Sequence, residues 1–346
     1  LRVRIALLLV GYGNVGRRYV ELLGESQAAL AAMGIAPVVV GIVTRRQGGI
    51  FDASGLDSPA ITAWLERPSP GHVSTVEFIG DALDRLRVAP FDRSVVVETT
   101  TLDVASGEPA ISHVRAALRG GADVISANKG PVAFAWRALA DEAARVGRSF
   151  LFEGAVMDGI PIFNLVRETM PAVVVHGFRG VVNSTTNFML TAMERGERFD
   201  VALARMQAEG IAEADPSLDV DGWDAAAKAA ALANVLLDAE TTPVAVEREG
   251  IGPETGPRAL EARRRGRVLK LVASGAGRGA SARLRVRLEE LAPDDPLAVL
   301  DGQGNALELD TWPLGRVVVT QRDGGLEKTA YALVADLVTV ARRMRA

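Results

Sequence analysis

Between residues 213 and 224 the chain reads Glu213-Ala-Asp215-Pro216-Ser-Leu-Asp219-Val-Asp221-Gly222-Trp223-Asp224, and one helical turn later comes Lys228. Crowding acids into one short loop carries a like-charge cost. Asp224 and Lys228, at i and i+4, share a helix face. On an exposed helix such a pair is an ordinary salt bridge. The stretch that carries this one, Gly222–Leu237, is filled with Ala, Leu and Val and has little polar surface to give to water. An ammonium desolvated there beside a carboxylate suits proton transfer, because burial lowers an amine toward working pH while the Asp pulls the other way.

Other polar groups follow apolar runs. Glu98-Thr99-Thr100 and Ser126-Ala127-Asn128-Lys129-Gly130 would both lie at the carboxyl ends of parallel strands, where open α/β sheets bind ligands. Lys129 is read there either as a ligand contact or as a capping or surface residue. Gly180-Val-Val-Asn183-Ser184-Thr185-Thr186-Asn187 offers hydroxyls and amides at another strand end, or, on the plainer reading, a helix N-cap box. Near the start, Gly11-Tyr12-Gly13-Asn14-Val15-Gly16 is G-x-G-x-x-G directly after an apolar strand and opening a helix, the context of a dinucleotide site. Gly11 allows the tight turn, Gly13 the approach of the backbone to a pyrophosphate, and Gly16 close helix–strand packing. The N–H groups around Asn14 and Val15 then face the phosphates. Where the second strand ends, Val43-Thr44-Arg45-Arg46 holds no acid for a ribose 2′-hydroxyl. Arg there accommodates a 2′-phosphate, which favours NADP over NAD; otherwise Arg45 and Arg46 are surface charges.

Positioning these groups falls to alternating strands and helices. Ile5–Val10 reads as a strand and Val15–Leu23 as the helix behind it, followed by strands at Val38–Val43, Ser94–Glu98, Asp123–Ser126 and Ser149–Phe152. An amphipathic stretch (Ile111, Val114, Leu118) and the helix Pro131–Val146 serve as crossovers. The fold class is therefore α/β, a Rossmann-type doubly wound parallel sheet over residues 1–152, with a second α+β domain over residues 153–324. In the second region Pro161–Glu168, Leu190–Arg195, Val201–Glu209 and Gly222–Leu237 read as helices, and Val173–Val182, Arg283–Leu291 and Arg316–Thr320 as strands of a partly exposed sheet. Thr329–Arg343, within a C-terminal segment 325–346, repeats Leu333, Leu337 and Val340 at helical spacing and is expected to pack back onto the first domain.

Composition narrows the chemistry. The 346 residues contain no Cys, which removes thiolate nucleophiles, Cys-ligated zinc and redox pairs, and His72, His113 and His176 show no metal-ligand spacing. With 39 Lys plus Arg against 43 Asp plus Glu, the net charge of −4 gives no reason to expect a nucleic-acid partner; small molecules are expected instead. No apolar stretch approaches about 20 residues, so no membrane span is expected, and Arg2 to Val10 lacks a signal-peptide cleavage site. A cytoplasmic location is the expectation.

Taken together these residues resemble homoserine dehydrogenase. The likeness runs in order through GYGNVG at 11–16, ETT at 98–100, SANKG at 126–130, EGAVMDGIP at 153–161, GVVNSTTNFML at 180–190, GIAEADPSLDVDGWDAAAK at 210–228, REGI at 248–251 and DPLAVLDGQGNAL at 295–307. It implies nicotinamide-dependent interconversion of L-homoserine and L-aspartate 4-semialdehyde, in threonine, methionine and isoleucine biosynthesis. By the resemblance, Lys228 matches the catalytic lysine, Asp224 its partner on the substrate, and Lys129 a second lysine touching substrate and cofactor. Glu213 and Asp219 match acidic substrate contacts, and Thr185 a contact to the amino-acid portion. Thr99, Thr100 and Gly325 fall with the cofactor. Glu153, Val156, Asp158 and Ile160 match a loop whose main-chain oxygens bind sodium, and the likeness implies a homodimer. One departure stands out: the family's late GAG-type loop is here Arg322-Asp323-Gly324-Gly325, and an acid close to a cofactor phosphate would weaken binding or alter preference. With the sequence ending at Ala346, no C-terminal regulatory domain and no threonine feedback through one are expected.

Overall fold

The computed structural model describes residues 2–69, 71–208 and 215–345. The chain divides into two compact units, one of residues 1–131, 135–159 and 326–346, the other of residues 132–134 and 160–325.

In the first unit β1 (Val3–Val10), β2 (Ile35–Thr44), β3 (Gly48–Phe51), β4 (Arg93–Glu98), β5 (Asp123–Ser126) and β6 (Phe150–Leu151) form one sheet in the order β3-β2-β1-β4-β5-β6. Neighbours are parallel except for the edge pair β2–β3, an antiparallel hairpin too short to show a pattern in sequence. Ile5 to Val10 is an unbroken apolar run in which every residue is 0% exposed, as a strand covered on both faces requires. The chain leaves β1 toward β2 on one side and returns to β4 on the other, so the loops after β1 and β4 flank the point where strand order reverses. The helix Leu326–Arg343 belongs to this unit: Leu333, Leu337 and Val340 share a buried cluster with Ile5, Leu7 and Val97. Each such leucine contributes about 1.5–3 kcal/mol by leaving water.

In the second unit β7 (Val174–Val181), β8 (Glu247–Arg248), β9 (Val268–Ala276), β10 (Arg283–Leu291), β11 (Asn305–Trp312) and β12 (Gly315–Gln321) form a sheet ordered β12-β11-β7-β9-β10-β8. It is antiparallel apart from the short β8–β10 pair. β10 alternates as its sequence demands, with Leu284 and Val286 buried and Arg283, Arg285 and Arg287 exposed. β9 and β11 escape that reading for physical reasons. β9 is covered on both faces and buries Lys270, and β11 buries Asn305, Glu308 and Thr311, so neither shows a clean period of two. The helix Trp223–Leu236 buries every one of its alanines, small side chains that let neighbours close in from several sides.

Other elements depart from the sequence expectation. The helix expected over Pro161–Glu168 winds instead as a wide turn over Leu165–Thr169, where the Thr169 hydroxyl donates to the Leu165 carbonyl at 2.7 Å and competes with the regular ladder. The helix expected at Leu190–Arg195 begins earlier, at Ser184, because Asn183 caps it through its Oδ1, which accepts the Thr186 N–H at 2.8 Å. The helix Gly130–Arg145 breaks at Ala135 (φ −141°). Its carbonyls at Val132 and Ala133 accept from Asn234 Nδ2 at 3.0 and 3.2 Å, a side chain inserted into the ladder. Among the described residues no helix is long and apolar enough to cross a membrane.

Candidate active site

In the first unit the glycine-rich turn has the shape its spacing requires. Gly11 takes φ +95°, and a Cβ there would stand 2.8 Å from the carbonyl carbon and oxygen of Thr99. Thr99 locks the two strand ends together: its N–H donates to the Val10 carbonyl at 2.9 Å and its hydroxyl to the Gly11 carbonyl at 3.1 Å. A Cβ on Gly16 would meet the Gly11 carbonyl at 3.0 Å, whereas one on Gly13 would meet nothing within 4 Å. Gly13 thus presents bare backbone to open space. The helix Asn14–Glu25 starts beside it without a side-chain cap, leaving the N–H groups around Asn14 and Val15 for an anion. These features fit a pyrophosphate.

The other residues singled out in the first half follow the ends of β2, β4 and β5. Arg45 and Arg46 are exposed just past β2, their carbonyls tied to the Val73 N–H and the Ser69 hydroxyl. Neither guanidinium has an ion-pair partner among the described residues, so both charges are available to a phosphate. The Thr100 hydroxyl donates to the Glu98 carboxylate. Lys129 is half-buried at the cap position of the helix Gly130–Arg145, but its side chain makes no capping bond. The capping is done by Asn128, whose Oδ1 accepts the Gly130 N–H at 2.8 Å.

Residues 153–159 leave the sheet as a tight turn, with Glu153 and Val156 buried, Asp158 at φ 45° and Gly159 at φ 90°. Asp336, 0% exposed, accepts the Glu153 N–H at 2.8 Å, and the Thr329 hydroxyl donates to Asp158 Oδ1 at 3.4 Å. The Ile160 carbonyl, in the second unit, accepts the Ile162 N–H at 2.9 Å. Among the described residues no three His, Asp or Glu side chains come together as metal ligands, so a cation here would rely on carbonyl oxygens.

In the second unit the acidic loop and the Ala-rich helix meet the end of β7. Gly222, at φ 78°, turns the chain into the helix Trp223–Leu236 where a Cβ would come within 2.8 Å of the Glu249 carbonyl. Lys228 Nζ donates to the Val182 carbonyl at 2.6 Å and lies 3.0 Å from Asp224 Oδ2; the two side chains are only 12% and 15% exposed. This is the sheltered version of the pair, not the surface salt bridge. Asn183 Nδ2 donates to Asp219 Oδ1 at 2.6 Å and to Asp224 Oδ2 at 2.8 Å. Burial, and then the charge of Asp224, push the Asp219 carboxyl up from its ordinary value, against the hydrogen bonds of Asn183 and Thr185 and the charge of Lys228. Asp219, Asp224, Lys228 and Thr185 are therefore one cluster. Glu213 lies outside the described residues. Gly325 takes φ +128°, and the side chains of Arg322 and Asp323 before it have no partner among the described residues.

The homoserine dehydrogenase NAD-binding domain model matches residues 11–153, and the homoserine dehydrogenase model matches residues 161–338. The chain belongs to the homoserine dehydrogenase family. It is 34% identical over 340 residues to the NAD(+)-dependent homoserine dehydrogenase of Pseudomonas canavaninivorans, covering 96% of this chain and 95% of that one. With the homoserine dehydrogenase of Sulfurisphaera tokodaii it shares 32% identity over 336 residues, covering 97% and 98%. The crystal structure of homoserine dehydrogenase from Thermoplasma acidophilum superposes with a TM-score of 0.80 at 26% identity, covering 98% of this chain and 99% of that one.

For a member of the homoserine dehydrogenase family, the residue that sequence reasoning undervalued is Asn183. Its segment stood out for amides and hydroxyls, but an N-cap box accounts for it equally well. Asn183 does both, capping with Oδ1 and bridging two carboxylates with Nδ2, and only the second task involves residues far away in sequence.

Proposed function

We propose that the chain catalyses the NAD(P)-dependent interconversion of L-homoserine and L-aspartate 4-semialdehyde, the oxidation of a CH–OH group in threonine, methionine and isoleucine biosynthesis. The observation that carries this reading is the sheltered cluster of Lys228, Asp224, Asn183 and Asp219. A bound nicotinamide supplies the hydride acceptor, or the donor in the reverse direction. Lys228 takes the proton of the C4 hydroxyl, its Nζ aimed by the Val182 carbonyl and Asp224. Asp219, with Glu213, offers carboxylate charge to the α-ammonium group, and Thr185 a hydroxyl to the amino-acid end. Lys129 contributes a positive charge from the end of β5.

The first unit is read as the nucleotide-binding domain and the second as the substrate-binding and dimerisation domain of a cytoplasmic homodimer. Gly11, Gly13, Asn14, Val15 and Gly16 hold the pyrophosphate, with Thr99 and Thr100 behind them and Gly325 from the late loop. Arg45 and Arg46, without ion-pair partners among the described residues, support NADP as the preferred coenzyme. The main-chain oxygens of Glu153, Val156, Asp158 and Ile160 are read as a sodium site, a donor set that suits a hard cation. Initial rates of NADP and NAD reduction by L-homoserine, with and without sodium, test the proposal. Turnover with either coenzyme upholds it. Coenzyme binding without turnover in either direction would replace it with a dinucleotide-binding protein of silent chemistry.

A further inference from the structure

A carboxylate is buried at the end of β4, next to the threonines that adjoin the glycine-rich turn. Glu98, the last residue of β4, is 0% exposed. Its Oε1 accepts the Thr100 N–H at 3.1 Å and the Thr100 hydroxyl, and its Oε2 accepts the Ser126 hydroxyl at 3.3 Å. His113, 1% exposed, brings Nδ1 within 3.4 Å of Oε1, and its Nε2 lies 2.5 Å from the Thr75 hydroxyl. A hydroxyl, an imidazole and a carboxylate in that order elsewhere activate a nucleophile; here His113 and Glu98 are buried and Thr75 is half-buried. A carboxylate so placed costs several kcal/mol unless its lone pairs are taken up, and here donors from separate segments supply that.

The donors lead outward to the residues that handle ligand. Thr100 is one of them. Ser126 Oγ accepts the Asn128 N–H at 3.0 Å, Asn128 Nδ2 donates to the Thr100 carbonyl at 3.0 Å, and Asn128 Oδ1 caps Gly130, so the backbone on both sides of Lys129 is held by the same network. We infer that Glu98 is a positioning residue that sets the loops after β4 and β5 in register, fixing Thr100 and the backbone from which Lys129 reaches its ligand, with His113 and Thr75 holding the carboxylate in place. The inference rests on the reading of Thr100 and Lys129 as ligand contacts.

The test is Glu98→Gln, which keeps the shape but turns one acceptor oxygen into a donor. Affinity for reduced nicotinamide coenzyme, read by its fluorescence, should weaken about tenfold while the melting temperature moves by only a few degrees. The variant is then combined with Lys129→Ala: if Glu98 acts through the Lys129 loop, the loss in kcat/KM caused by Glu98→Gln should shrink at least threefold in that background. Ser126→Ala, which severs the β5 side of the network alone, should weaken coenzyme binding in the same direction and serves if Glu98→Gln does not fold. Coenzyme affinity within twofold of the unmodified protein in the folded variant, or strictly multiplicative losses in the double variant, would overturn the inference. Because coenzyme affinity is read without turnover, it judges Glu98 even if the unmodified chain proves inactive on L-homoserine, an outcome that would overturn the proposed function instead.

Discussion

Alanine at Gly11 and alanine at Gly13 should fail in opposite ways, although the two glycines belong to one turn. At Gly11 the backbone has φ +95°, which costs a non-glycine residue about 1–2 kcal/mol. The new Cβ would stand 2.8 Å from the Thr99 carbonyl carbon and oxygen, backbone atoms that cannot swing aside, and such overpacking costs about 1–3 kcal/mol more. Together these predict roughly 2–5 kcal/mol of lost stability, a fall in Tm of roughly 4–20 °C. At Gly13 the backbone lies at φ −81°, which alanine adopts freely, and its Cβ would meet nothing within 4 Å. Gly13→Ala is therefore expected to keep its Tm or to gain up to about 1 kcal/mol. Its methyl group would occupy the space through which the pyrophosphate reaches the backbone. Loss of one charge-assisted hydrogen bond there, about 1.5–3 kcal/mol, predicts a Kd for coenzyme raised roughly 10- to 150-fold. Differential scanning fluorimetry and coenzyme fluorescence titration on both variants make the comparison. Unchanged coenzyme affinity in Gly13→Ala, or an unchanged Tm in Gly11→Ala, would refute the reading of this turn.

Lys228→Met keeps the length of the side chain and removes the proton acceptor, so kcat for homoserine oxidation should drop about 10²- to 10⁴-fold with coenzyme Kd little altered; wild-type turnover would remove Lys228 from the chemistry. Asp219→Asn should show a pH-dependent stability. The Asp219 carboxyl is raised in the folded protein, so its contribution is full below the ordinary Asp value and is lost as pH rises through the raised one. Asparagine mimics the protonated form, and the Tm of the variant relative to the unmodified protein is expected to climb from about pH 4 upward; a constant difference across pH would contradict it. Arg45→Ala combined with Arg46→Ala should raise the KM for NADP about tenfold or more and leave that for NAD nearly unchanged, and equal effects on both coenzymes would make the arginines plain surface charges.

Local order in the sequence determined a large part of this protein. A continuous apolar run before G-x-G-x-x-G is enough to imply a buried parallel strand, a tight turn and an exposed helix start, because each follows from neighbours within a few residues. The same holds for the Ala-rich helix that pairs Asp224 with Lys228, for the alternation of β10, and for the apolar spacing of Leu333, Leu337 and Val340. Order along the chain, strand then helix then strand, also sufficed for the α/β class. Tertiary structure decided what depends on who lies opposite. β9 and β11 bury polar residues, and their pattern makes sense only once both faces are covered. Whether the Asp224–Lys228 pair is sheltered or solvated rests on the Val182 carbonyl and Asn183, tens of residues away. Glu98 looks like any acid at the end of a strand until Ser126 and His113 arrive from separate segments to fill its lone pairs, with Thr75 holding the far side of the His113 ring. Periodicity records the face a side chain occupies, while the cost or use of a buried charge is set by partners that only the folded chain brings within hydrogen-bonding distance.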